Sequence, residues 1–336
     1  MRFLITGSAG FIGFHLARRL LADGHTVVGF DGMTDPRDAA LKAERHEILR
    51  RVDRFRAVEA RLEDIAALTE AAAEAQVIVH LAARAGGPAS LEDLRAYVDS
   101  NLIGTFNLLE VARTVRPRHL LLASTSAVYD GAAVTGPFLE GAPTDLPVSL
   151  YAATKKATEA LSHSHAHLFG IPTTCLRFFT VYGPRAGPDS ALLRLVDAVL
   201  AGRPIAVSGK GELRRDVLYV DDLVEAIVRL IGRPPVAGVP VEAEGVVDTL
   251  SPSAPWRVVN IAGDTAIRLA EVFAAIEALL GRRLEKRLRH LASTPIDETC
   301  TDGRLLEALT GYRPSTPVEV GIPEFVGWYL GHRRCG

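Results

Sequence analysis

Tyr151 and Lys155 stand four residues apart in Tyr151-Ala-Ala-Thr-Lys155. On a helix this spacing puts both side chains on one face, just over a turn apart. A phenol beside an ammonium has a lowered pKa, because the positive charge favours the phenolate. Such a tyrosine takes a proton from a sugar hydroxyl near neutral pH. Far upstream, Gly7-Ser-Ala-Gly10-Phe-Ile-Gly13 follows an apolar run and opens a helical pattern. Glycines there let the backbone approach a pyrophosphate, and the helix N-terminus supplies N–H groups and positive potential. With a dinucleotide at that turn to receive a hydride, the two signals read as nicotinamide-dependent redox chemistry on an alcohol.

Asp31 sharpens the reading. It ends the second β-rich run, 18 residues after Gly13, where a carboxylate accepts both ribose hydroxyls and repels a 2′-phosphate. NAD is therefore expected over NADP; the competing role for Asp31 is a turn residue before Gly32. His80-Leu81-Ala82-Ala83 ends another buried run in small residues that leave room for a cofactor. His80 itself reads as a satisfied core histidine. His163, His165 and His167 recur every second residue, which does not share a helix face, so solvated or interface histidines are expected rather than metal ligands.

The elements that must position these residues alternate. Strands are expected at Arg2–Thr6, Thr26–Asp31, Gln76–Leu81, His119–Ser124 and Thr173–Phe178, with a possible return at Val258–Ile261. Helices are expected at Phe11–Asp23, Ile65–Glu74, Leu91–Val115, Leu150–Phe169, Leu192–Ala201, Val220–Ile231 and Leu269–Leu280. Alternating β and α elements predict an α/β doubly wound parallel sheet, with ligands at the carboxyl ends of its strands. The stretch from Gly232 to Trp256, rich in Pro, Gly and acid, is expected to be a partly mobile surface excursion.

The chain has 336 residues, 48% hydrophobic and 23% charged, with a formal charge of −2. That composition offers no basic field for nucleic acid or an anionic membrane. Its length suggests about two domains, or one large α/β unit with an appendage. Cys175, Cys300 and Cys335 are widely spaced and form no CxxC pair, which argues against structural zinc and for a reducing, cytoplasmic setting. Met1–Thr6 is too short an apolar run for a signal peptide. No stretch reaches the roughly 18 apolar residues of a membrane span.

Longer stretches resemble a known group. They are Tyr97-Val-Asp-Ser-Asn101-Leu-Ile-Gly-Thr-Phe-Asn, Ser124-Thr-Ser-Ala-Val-Tyr129, Tyr151 to Glu159, Arg177-Phe-Phe-Thr-Val-Tyr-Gly-Pro184 and Arg214-Arg-Asp-Val-Leu-Tyr-Val-Asp-Asp222, together with Asp31 to Lys42. The chain is similar, over nearly its whole length, to the extended short-chain dehydrogenase/reductases that act on nucleotide sugars, and most of all to UDP-glucuronate 4-epimerases. The resemblance implies a Rossmann-type NAD-binding domain at 1–178. It also implies a smaller, mainly substrate-binding α/β part at 179–336, with segments near 216–232 and 256–264 returning to the first. It implies a cycle in which Tyr151, helped by Thr125 or Ser126, takes the C4 hydroxyl proton of a UDP-sugar. Hydride passes to NAD, a 4-keto sugar forms and turns over, and hydride returns to its other face. Lys155 would also hold the nicotinamide ribose. Leu62, Asn101, Ser124, Phe178 and Val181 join Phe11, Ile12, Leu81, Ala82 and Ala83 around the cofactor. Thr180, Arg185, Val207 and Arg215 fall on the substrate side, Arg215 at the diphosphate. A homodimer through the helices carrying Asn101 and Tyr151 is implied as well.

The departures cluster on the substrate side. Gly187 stands where the group carries the arginine that grips the sugar carboxylate, and Pro88 replaces another substrate-facing arginine. Arg84 appears where glutamine is usual, Arg61 where an aspartate meets adenine, and Ala292 to Ile296 departs near the nucleotide. Arg84 or Arg185 could restore the lost charge, or the substrate or outcome has changed. The open alternatives are a different UDP-hexose, loss of CO2 or water from the 4-keto sugar, and a non-catalytic binding protein.

Overall fold

The structure, a computed structural model, describes residues 1–85, 93–131, 136–207, 214–263, 266–288 and 301–335. Strands β1 (Arg2–Thr6), β2 (Thr26–Asp31), β3 (Phe55–Glu59), β4 (Val77–His80), β5 (His119–Thr125), β6 (Thr173–Phe178) and β10 (Trp256–Ile261) form one sheet. Its order is β10-β6-β5-β4-β1-β2-β3 and every pairing is parallel. Strands covered on both faces read as continuous apolar runs; β4 and β6 are buried at every residue. The chain reverses direction across the sheet between β1 and β4, which opens a crevice at their carboxyl ends.

On one face lie α1 (Phe11–Ala22), α2 (Ala39–Arg50), α8 (Val220–Ile231) and α10 (Arg304–Thr310); on the other lie α3 (Ile65–Ala72), α5 (Gly104–Val115) and α6 (Leu150–Phe169). Helix α8 packs on α1, and β10 adds to β6 in register Val258↔Cys175, so late residues complete the main sheet and its cover. The remaining elements are β7 (Thr180–Tyr182), α7 (Ala191–Leu200), β8 (Ile205–Val207), β9 (Arg214–Tyr219), β11 (Ala266–Arg268), α9 (Leu269–Leu280), β12 (Lys286–Leu288) and α11 (Val318–Cys335). A second apolar cluster joins α7, α9 and α11, with Val196, Ile276 and Phe325 at its centre. Among the described residues no helix is long and apolar enough to cross a membrane.

Three differences from the sequence reading have physical causes. The helix expected over Leu91–Val115 runs without interruption from Leu94 to Val115, but its winding changes: α4 covers Leu94–Tyr97, a π-helical turn covers Val98–Ile103, and α5 follows; residues 91–92 lie outside the described set. π-bulges gather at functional sites, and this one carries Asn101. Helix α2 and strand β3 were not anticipated, because α2 buries Arg45 and His46 rather than an apolar stripe. Helix α11 was missed because Pro323 and three glycines interrupt its pattern. The Gly232–Trp256 excursion contains no regular element before Trp256 opens β10, but it is pinned: Arg257 Nε and Nη2 donate to Asp248 at 2.7 and 2.8 Å, and both side chains are almost fully buried. His163 and His167 reach the same excursion, at Ser251 Oγ (2.8 Å) and the Ser253 carbonyl (2.6 Å).

Candidate active site

A cleft of about 1070 Å³ runs along the carboxyl ends of β1, β2, β4, β5 and β6. The turn after β1 forms one wall. Gly7 has φ 75°, and a Cβ on it would lie 2.7 Å from the Ala82 nitrogen. A Cβ on Gly13 would lie 2.1 Å from the Gly7 carbonyl oxygen. Only glycine allows β1, the turn and α1 to close this tightly. Gly7, Gly10, Phe11, Ile12 and Gly13 all line the cleft, as do Leu62, Leu81, Ala82 and Ala83. This is a cradle with backbone N–H groups at a helix start, which fits a dinucleotide pyrophosphate.

Asp31 lines the cleft from the end of β2 and is already well supplied with donors. Its Oδ2 accepts the Ala9 N–H (3.1 Å), and its Oδ1 accepts the Met33 N–H (2.9 Å) and Lys42 Nζ (2.8 Å). A carboxylate has about four lone-pair sites, so capacity for a ribose hydroxyl remains. Lys42 also lines the cleft, a cation that the sequence reading did not single out. Its charge offsets Asp31 and weakens the repulsion of a 2′-phosphate expected from a lone carboxylate. Its signal was its place eleven residues after Asp31, at the end of the Asp31 to Lys42 stretch.

Tyr151, Lys155 and Ser124 line the same cleft. Ser149 caps α6 by accepting the Ala152 N–H at 3.1 Å, so the helix begins immediately before Tyr151. A buried network fixes α6 to the sheet. Arg177 donates to Glu159 from Nε (2.9 Å) and Nη2 (2.8 Å), Ser124 Oγ donates to Glu159 at 2.6 Å, and Arg177 Nη1 donates to the Tyr129 hydroxyl at 2.6 Å. Bidentate guanidinium–carboxylate pairing gives this anchor its geometric strictness.

The expected lowering of the Tyr151 pKa is corrected. Partial burial pushes the phenol up, the Thr125 hydroxyl pulls the other way, and Tyr97 adds to the rise. Lys155 is only 4% exposed, and this burial lowers it to about 8; its Nζ donates to the Ala123 carbonyl at 2.8 Å. Burial penalises the charged form of both groups, and the ammonium is spent on β5 rather than on the phenol. His80 bonds Thr6 Oγ1 (2.6 Å) and Thr105 Oγ1 (2.9 Å), and burial lowers it to about 3, so it is a neutral core residue.

The other expected site residues divide. Phe178, Thr180 and Val181 line the cleft; Thr125 ends β5, its hydroxyl accepting the Ala127 N–H at 3.2 Å, and Ser126 opens the 3₁₀ turn that follows. Asn101 is buried behind the wall. Its Oδ1 accepts the Arg84 N–H (2.7 Å) and its Nδ2 donates to the Arg84 carbonyl (3.1 Å) and Thr154 Oγ1 (3.1 Å). It therefore holds the backbone that carries Arg84. Arg185 does not serve the cleft: its guanidinium donates to Glu44 at 2.6 Å and lies 5.4 Å over the Phe14 ring. Those contacts hold the side chain against α1 and α2, and Arg185 is not among the residues that line the cleft. Arg215 is on β9, donates to the Arg214 carbonyl and acts on Asp130, outside the cleft lining. Val207 ends β8, its backbone in register with Leu288. Arg61 and Gly187 line the cleft, Arg61 held by Glu63 at 2.5 Å. Pro88 and Ala292 to Ile296 lie outside the described residues.

Residues 3–240 match the family described as "Epimerase: NAD dependent epimerase/dehydratase family". The chain is 52% identical to a probable UDP-glucuronate 4-epimerase of Rhizobium meliloti (strain 1021), over 100% of this chain and 99% of that protein. It is 33% identical to the UDP-glucuronate 4-epimerase of Thermodesulfobacterium geofontis, over 97% and 95%. It is also similar to the crystal structure of the UDP-glucuronic acid 4-epimerase from Bacillus cereus in complex with UDP-glucuronic acid and NAD. There the TM-score is 0.86 and the identity 29%, covering 99% of this chain and 100% of that one. The glycine turn, Asp31 and the Tyr151/Lys155 helix open on one cleft, and the chain belongs to the NAD dependent epimerase/dehydratase family.

Proposed function

We infer that this chain is an NAD-dependent UDP-glucuronate 4-epimerase, interconverting UDP-glucuronate and UDP-galacturonate through a transient 4-keto sugar. One observation carries the reading: Tyr151 opens onto the same cleft as the Gly7–Gly13 turn and Asp31. The relatives and the Bacillus cereus complex support it. Gly7, Gly10, Gly13 and Asp31 would hold NAD, which when bound supplies the hydride acceptor and a positively charged ring. Tyr151 accepts the C4 hydroxyl proton and returns it, and Thr125 steadies the phenolate through its hydroxyl. Lys155 keeps a positive charge on the same helix face. Thr180 faces the sugar, with Ser126 beside it, Val207 on the substrate side and Arg215 at the diphosphate.

The sugar acid needs a cation, and Arg84 suits it. Arg37, Lys42, Arg61 and Arg95 each donate to a carboxylate within 3.2 Å in this cleft. The Arg84 guanidinium makes no hydrogen bond among the described residues; its nearest acid is Asp93 at 3.8 Å. We assign residues 1–178 to cofactor binding and 179–336 mainly to substrate, with 216–232 and 256–264 serving the first part. Exposed Ile103 and Phe106 on the α5 side and Leu168 on α6 support a homodimer through these helices; a monomer by sedimentation would exclude it.

The test is incubation of the NAD-loaded protein with UDP-glucuronate, followed by sugar-nucleotide separation and mass spectrometry. A new peak of unchanged mass is expected. A product lighter by CO2 or water, or no product while NAD stays bound, overturns the assignment.

A further inference from the structure

Two segments far apart in sequence meet at the rim of the cleft: the loop joining β2 to α2, and the stretch 184–190 that follows β7. Arg37 Nη1 and Nη2 donate to the two Asp189 oxygens at 3.0 Å each, across 152 residues. The same guanidinium donates to Asp35 from Nε (3.2 Å) and Nη2 (2.9 Å), so one planar fork bridges two carboxylates. Deeper, Arg45 is fully buried and binds three groups: the Ala9 carbonyl of the glycine turn (2.7 Å), Asp38 Oδ2 (3.1 Å) and the Arg185 carbonyl (2.6 Å). Arg185 is held in its left-handed conformation by that bond and by Glu44. Asp35, Arg37, Asp38, Gly187 and Asp189 all line the cleft that also contains the dinucleotide turn.

We propose that Arg37 and Arg45 are positioning residues that clasp the 184–190 stretch over the dinucleotide and keep it bound through the catalytic cycle. The proposal rests on the epimerase reading, in which one NAD must be reduced and reoxidised without leaving. The two halves of the clasp differ in kind. Arg45 is out of water and joins the stretch directly to the turn that cradles the pyrophosphate. The Arg37–Asp189 pair is half exposed, at 51% and 40%, so it is weaker and screened by salt. The outer pair is thus the part that opens, with the inner one as its fixed end.

Because Arg45 is buried, its loss threatens folding, and the outer pair carries the test. Wild type, Arg37→Ala, Asp189→Asn and the charge swap Arg37→Asp/Asp189→Arg are loaded with NAD and freed of excess. Release is then followed at low and high salt by trapping free NAD with an unrelated dehydrogenase; thermal melts confirm folding. Each single variant should release NAD about fivefold faster than wild type at low salt. Salt should speed wild type toward the rate of the variants, and the swap should restore retention. Folded single variants that release NAD no faster than a wild type that retains it overturn the clasp alone. A wild type that binds no NAD overturns the clasp and the cofactor reading together.

Discussion

Replacing Glu140 by glutamine should change how the stability of this protein depends on pH. Glu140 is 8% exposed, and its Oε1 accepts the Asn260 N–H at 2.9 Å. Burial pushes its carboxyl from 4.5 to about 7, against the pull of backbone hydrogen bonds from Asn260 and from its own N–H; Asp302 adds to the rise and Arg177 opposes it. The folded state therefore holds a proton between about 4.5 and 7 that the unfolded state has released. Stability must fall as pH rises through that window, because the native state binds more protons than the unfolded one. The shift of 7 − 4.5 = 2.5 units, at about 1.4 kcal/mol per unit, makes the effect about 3 kcal/mol. Glutamine keeps an acceptor for Asn260 and carries no charge. Urea unfolding of both proteins should give similar stabilities near pH 4.5 and an advantage for Glu140→Gln of about 3 kcal/mol above pH 8. An advantage that does not change with pH would refute the reasoning.

Three further outcomes are expected. Tyr151→Phe should retain NAD yet lose turnover by about 10²–10⁴-fold, the range for a positioned proton-transfer group; steady-state rates and NAD content check this together. Asp31→Ser should leave Lys42 without its carboxylate and move cofactor preference toward NADP by about tenfold or more, the worth of one charge-assisted hydrogen bond, read by competitive binding. Arg84→Ala should raise KM for UDP-glucuronate by about tenfold while leaving affinity for UDP-glucose nearly unchanged, and equal losses for both sugars would exclude Arg84 as the partner of the acid.

The parts of the fold that depend on repeated apolar runs were readable in advance. β1, β2, β5 and β6 bury most of their residues, and α1 and α6 end in glycines with positive φ at Gly24 and Gly170. The glycine turn and the Tyr151/Lys155 spacing were equally readable, since each needs a particular residue at a particular place. What escaped was anything held by polar groups over long separations. Helix α2 buries Arg45 and His46, and Lys42 on it reaches back to Asp31. Arg185 looked available because no local signal announces Glu44, 141 residues away. The Tyr151 pKa was misjudged for a related reason. Helical spacing places an ammonium nearby, but burial and the Ala123 carbonyl decide what that charge does.

The return of β10 to the edge of β6 has a consequence for synthesis. A ribosome delivers β6 long before Trp256–Ile261, and until then the apolar β6 edge has its ladder groups unpaired on one side. α1 likewise waits for α8 to cover it. An open strand edge is a template for pairing with other chains, and nascent chains with such edges are prone to aggregation. A polypeptide halted after residue 178 should therefore be insoluble or chaperone-bound. The full chain should acquire protease resistance in one late step, once residue 261 has cleared the exit tunnel.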